Sequence, residues 1–81
     1  MNRQEILSIM NEVMKKRGRE SISSELMTTR EANFRSLDFS ETALRIEMHC
    51  GAELVFDAAS MRKIETVGDV VDFFESATQA V

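Results

Sequence analysis

F-R-S-L-D-F-S-E-T-A-L-R-I-E-M-H-C (Phe34 to Cys50) decides how this chain folds. At about 100° per residue, Phe39, Ala43, Ile46 and Cys50 share one arc of a helix, and Leu37, Leu44 and Met48 share another. Ser36, Ser40 and Glu47 lie between the arcs, while Asp38, Arg45 and His49 take the far side. The spacing predicts an amphipathic helix from Ser36 to Cys50, ended by Gly51. The inner arc belongs to the core, with Cys50 read as a small buried apolar residue. The outer stripe is either buried in the wide apolar face of a bundle helix or offered to something else. Ser36 stands where a loop becomes this helix, and its plainest role is that of an N-cap.

Upstream, Asn2 and Glu5 have the spacing of a capping box. Ile6, Ile9, Met10, Val13 and Met14 follow on one helical face, widened by Leu7. Lys15, Lys16 and Arg17 complement the dipole at the far end, and Gly18 suits a left-handed exit. Residues 19–35 keep no period and read as a long loop, which needs pinning in a compact domain. Ile22, Leu26, Met27 and Phe34 are the expected pins, with a helical turn possible over 22–27.

Downstream, Leu54, Val55 and Phe56 form a run too short to assign by period. A strand there would have no partner, so packing as a loop is expected. Asp57 is the expected cap of a short helix through Ala58 and Met61 to about Lys63. Thr66 and Asp69 repeat the capping-box spacing, and Val67, Val70, Val71, Phe74 and Ala77 keep helical register. The expected fold is all-α: a small four-helix bundle of three main helices and a short third, one domain over residues 1–81.

The chain has 81 residues and one cysteine, so no internal disulfide can staple it. His49 and Cys50 are adjacent and point about 100° apart on a helix, which disfavours a metal site. Apolar packing must hold the fold, and 43% hydrophobic content suffices. No run approaches the roughly 20 apolar residues of a membrane span. The free cysteine and the absence of an apolar leader fit a cytoplasmic monomer. A net charge of −4, with no basic stripe among aromatics, argues against nucleic acid. Lys15, Lys16, Arg17 and Arg19 cluster near one loop, with most acids elsewhere. His49 lies more than three helical turns from Ser36, so no Ser-His-Asp arrangement is supported and no catalytic residue is assigned.

Two stretches resemble the acyl carrier protein family. Phe34 to Glu47 resembles its phosphopantetheine attachment region, with Ser36, Leu37, Asp38, Glu41, Leu44, Ile46 and Glu47 matching in type and spacing. K-I-E-T-V-G-D-V-V-D-F-F (Lys63 to Phe74) resembles the start of the family's last helix. The likeness spans the chain in length and order. It departs at Arg35, where the family usually has Asp, and at Arg62–Lys63, where many relatives are more acidic.

The resemblance implies a 4′-phosphopantetheine arm on Ser36, installed by a phosphopantetheinyl transferase from coenzyme A with Mg²⁺. Ser36 is then an attachment point rather than a nucleophile of this chain, and the protein is not itself an enzyme. Arg35 becomes a neighbour of the arm's phosphate. Leu37, Asp38, Glu41, Leu44, Glu47 and Met48 become the docking face for acyl-loading, ketosynthase-type and acyltransferase enzymes of fatty-acid-like or polyketide-like biosynthesis. Glu41 and Glu47 serve equally as solvated helix charge, and Met48 suits the core more than a contact. A peptidyl or aminoacyl carrier shares every one of these features. A helical interaction module with Ser36 unmodified is the reading that Arg35 favours.

Overall fold

Asn2 Oδ1 accepts the Glu5 N–H at 2.9 Å and Glu5 Oε1 accepts the Asn2 N–H at 3.1 Å. This complete capping box opens α1, Arg3–Lys16. At the other end the Arg19 N–H reaches the Met14 carbonyl at 2.9 Å and the Gly18 N–H that of Lys15 at 3.0 Å. That pair is a Schellman motif, and it requires the left-handed φ of 72° that Gly18 adopts without strain. The computed structural model describes residues 1–54, Phe56 and 58–79. Within them α2 runs Ser36–Cys50, α3 Ala58–Met61 and α4 Val67–Gln79. Among the described residues there is no strand, only an isolated bridge between Thr28 and Thr66. The molecule is the small all-α bundle that the periodicity predicts. No helix among the described residues is long and apolar enough to cross a membrane.

The first helix packs against both α2 and α4. Of its predicted face, Ile6, Met10, Val13 and Met14 are wholly buried and Ile9 is half-buried, while Ile46 of α2 and Val67, Val70, Val71 and Phe74 of α4 are wholly buried too. Each such side chain contributes roughly 1.5–3 kcal/mol of transfer free energy. Phe39 stacks on Phe74 with centroids 4.9 Å apart, which ties α2 to α4 directly. Phe56 and Phe73 extend the aromatic group over the half-buried side of Phe39. Arg3 joins α1 to the long loop and to α4 through ion pairs with Glu25, Asp72 and Glu75.

The long loop is pinned, but not as expected. Ile22, Met27 and Phe34 pack on the core. Leu26 does not; it is 88% exposed. The backbone around Leu26 pairs with the start of α4 instead. Gly68 N–H bonds the Glu25 carbonyl at 2.9 Å, Val67 N–H that of Met27 at 2.8 Å, and Thr29 N–H that of Glu65 at 3.0 Å. With Met27 turned inward, Leu26 faces out. A Cβ at position 68 would stand 3.2 Å from the Glu25 carbonyl oxygen, so glycine permits this approach. Within the 22–27 stretch a single turn forms, the Met27 N–H reaching the Ser24 carbonyl at 3.3 Å, and a fuller helical turn follows over 28–33. There Thr28 Oγ1 accepts the Glu31 N–H and Glu31 Oε1 accepts the Thr28 N–H, at 3.0 and 2.9 Å. The T-T-R-E spacing satisfies donors at both ends of that turn.

The radius of gyration, 11.6 Å, matches the roughly 11.7 Å of a compact domain this long, so the loop is wrapped on the bundle. Leu54 is buried without a strand, as expected of a packed loop. The roles expected of Val55 and Asp57 lie outside the described residues.

Asp69 holds the other end of the loop's anchor. Its carboxylate accepts the Thr66 and Glu65 N–H groups, each at 3.0 Å, and Thr66 Oγ1 accepts the Asp69 N–H at 3.1 Å. The backbone bonds, first that of Thr66 and then that of Glu65, pull the Asp69 carboxyl below its ordinary range. A carboxyl depressed by folding stabilises above its unfolded pKa, and that contribution is lost as pH falls through the folded pKa. Asp69→Asn is expected to cost about 1 kcal/mol at neutral pH. In urea unfolding the wild-type and variant curves should converge as pH drops below about 4.

Candidate functional site

Arg35, not Ser36, is the N-cap of α2, with extended dihedrals of −103° and 177°. Serine therefore sits one place inside the helix, and the capping role first expected of its side chain falls away. The turn is closed from below: the Asp38 carboxylate accepts the Arg35 N–H at 2.8 Å. Arginine has no acceptor to return the bond, so only half a capping box forms. The Ser36 hydroxyl is left exposed and unbonded among the described residues.

Asp38 is not on the solvent side where its helical position put it; it is wholly buried. Arg19 bonds one of its oxygens, and Arg17 Nε lies 2.9 Å from the other as an ion pair without hydrogen-bond alignment. An unpaired carboxylate could not stay under a helix. The two arginines come from the exit of α1, which the Schellman turn carries beneath the first turn of α2. Arg19 also donates to the Asn33 carbonyl at 2.9 Å. Asp38 thus cannot serve the docking face to which the resemblance assigned it.

Glu41 is similarly engaged. Lys16, Arg17 and Arg45 reach it at 3.4, 3.0 and 3.1 Å. Its carboxyl is held below the ordinary range, chiefly by the Arg17 hydrogen bond. Glu47 accepts the Leu54 N–H at 2.9 Å and so anchors the following loop. The outer apolar stripe is free: Leu37, Leu44 and Met48 are 70%, 56% and 76% exposed. Met48 is therefore a surface residue and not the core residue its spacing favoured. Cys50 is half-buried against the core rather than fully inside it.

Two depressions meet at Ser36. One, about 260 Å³, is lined mainly by Phe34, Phe39, Met61, Ile64 and Val70, with Thr29, Arg35, Ser36 and Ser40 completing it. The other, more polar, shares Thr29, Phe34, Arg35 and Ser36 with it and adds Arg30 and Asn33. Arg35 Nε donates to Asn33 Oδ1 at 2.9 Å, which keeps the guanidinium beside the serine. Asn33 takes a positive φ of 59°, a conformation asparagine tolerates better than other side-chain-bearing residues. Asn33 links the Arg19 and Arg35 contacts and was absent from the residues singled out above. Its only sequence signal is a turn-forming residue just before an apolar one.

The chain matches no family model, no curated protein and no solved structure. Chemistry must therefore be read from the residues. His49 stands at the other end of α2, 3.8 Å from Glu5. No described group of three or more His, Cys, Asp or Glu could hold a metal ion. Around Ser36 the described side chains include no general base, so its hydroxyl is accessible without being activated. Unpaired N–H groups of the first turn and the adjacent guanidinium favour negative charge there.

Asp38→Ala strips the shared partner from two partly buried arginines and is expected to cost about 3 kcal/mol. Leu44→Ser, on the exposed stripe, should stay within about 0.5 kcal/mol of wild type. Equilibrium urea unfolding of both variants measures the contrast.

Proposed function

We propose that the chain is a stand-alone acyl carrier protein whose Ser36 bears a covalent 4′-phosphopantetheine arm. The observation that carries this reading is an accessible serine hydroxyl, unbonded among the described residues, on the first turn of α2, where a largely apolar and a more polar depression share Ser36 and Arg35. Such an arm supplies a terminal thiol that holds acyl intermediates as thioesters. The residues present suit the attachment. The hydroxyl is open to a transferase active site, which brings its own base, so none is needed in this chain. A phosphodiester at the tip of α2 meets the positive end of the helix dipole, worth roughly 0.3–1 kcal/mol. Arg35 adds a screened contribution of about 0–1 kcal/mol.

Leu37, Leu44 and Met48 are the apolar surface that partner enzymes can use, namely the transferase and then acyl-loading, ketosynthase-type and acyltransferase enzymes. Glu41 and Glu47 contribute less, since both are already engaged within the molecule. The apolar depression does not distinguish an acyl from an aminoacyl cargo. One observation favours a different reading: the Arg35 side chain, held by Asn33, flanks the serine where a helical interaction module needs no modification at all.

Intact mass after co-expression with a transferase of broad acceptance separates the two. A gain of one phosphopantetheinyl group, absent from Ser36→Ala, is the expected result. An unmodified wild-type mass with the transferase active on a control carrier would leave the interaction module standing.

A further inference from the structure

We infer that the surface around Ser36 docks a protein partner whose contact face is acidic around an apolar projection. The chain as a whole carries −4, yet the ground around Ser36 is cationic. Arg30 and Arg35 line the polar depression at the serine. Arg62 and Lys63 sit between Met61 and Ile64, which line the apolar one. All four cations are exposed, and no carboxylate among the described residues pairs with them. The ion pairs of the molecule take Arg3, Lys16, Arg17, Arg19, Arg45 and His49 instead.

The acids of the same region are largely withdrawn. Asp38 lies under the first turn between Arg17 and Arg19, and Glu41 among Lys16, Arg17 and Arg45. Glu31 and Glu65 remain exposed near the cations, and Glu31 is partly spent on the Thr28 N–H. Of these charges, four exposed cations stand against two exposed carboxylates, and Leu37 and Met61 are 70% and 39% exposed.

An apolar depression flanked by cations is complemented by an apolar projection flanked by carboxylates. Such charge matching steers encounter and rejects basic faces more than it raises affinity. A nucleic acid fits less well, because these cations surround an apolar contact instead of tracking a line of phosphates. The proposal rests on the carrier reading for the reason a partner approaches Ser36, whereas the charge pattern stands on its own.

The test uses the unmodified protein, labelled with nitrogen-15, and three probes. Two peptides share a leucine-phenylalanine core, one flanked by glutamates and the other by lysines; the third probe is oligothymidylate. The glutamate peptide should shift the amides of residues 30–37 and 60–64. Its affinity should fall several-fold between about 0.05 and 0.3 M salt. The lysine peptide should leave those amides unmoved. Combined Arg30→Glu, Arg35→Glu, Arg62→Glu and Lys63→Glu should reverse the preference, and the matching Gln series should abolish it, both at unchanged helical circular dichroism. Equal binding of the two peptides, shifts confined to 44–48, or tighter binding of oligothymidylate would overturn the inference. Because Ser36 carries nothing in this experiment, its failure is distinct from a failure to accept the arm.

Discussion

Asp38 is a carboxylate without access to water, and the arrangement of this end of the bundle follows from that. Burying it requires two cations, which Arg17 and Arg19 supply from the exit of α1. The pairing holds the C-terminal end of α1 against the N-terminal end of α2. It also lets Asp38 close the first turn of α2 through the Arg35 N–H. Because the cap comes from the third helical residue, the serine is not needed for capping. Its hydroxyl is exposed as a consequence of the charge buried beneath it.

The same cluster governs the electrostatics of the surface. Lys16, Arg17 and Arg45 neutralise Glu41, and Arg17 and Arg19 neutralise Asp38, so these two acids of α2 contribute little outward field. Arg30 and Arg35, whose side chains pair with no carboxylate among the described residues, are left around the serine. A chain that is acidic in sum thus presents a basic rim at one point. Net charge describes its solubility better than it describes this face.

The opposite side of the site depends on backbone pairing. Carbonyls of Glu25 and Met27 receive the first N–H groups of α4, which Asp69 and Thr66 leave free. This anchor brings the 28–33 turn, and with it Thr29, Arg30, Asn33 and Phe34, to the start of α2. The long connection is therefore part of the site and not merely a link between helices.

The helices were legible in the chain because their signals are local. Apolar residues three and four apart, the Asn2–Glu5 and Thr66–Asp69 boxes, and glycines at 18 and 51 are read from neighbours along the sequence. The α2 bounds and the inward arc follow from the same information. Burial of Asp38, exposure of Leu26 and Met48, and engagement of Glu41 and Glu47 were decided only by tertiary structure. Asp38 depends on arginines at 17 and 19, Glu41 on Lys16 and Arg17, Glu47 on the Leu54 N–H, and the loop around Leu26 on the start of α4. A period along one helix shows which residues share a face, but only packing determines which faces meet and which charges can lose their water.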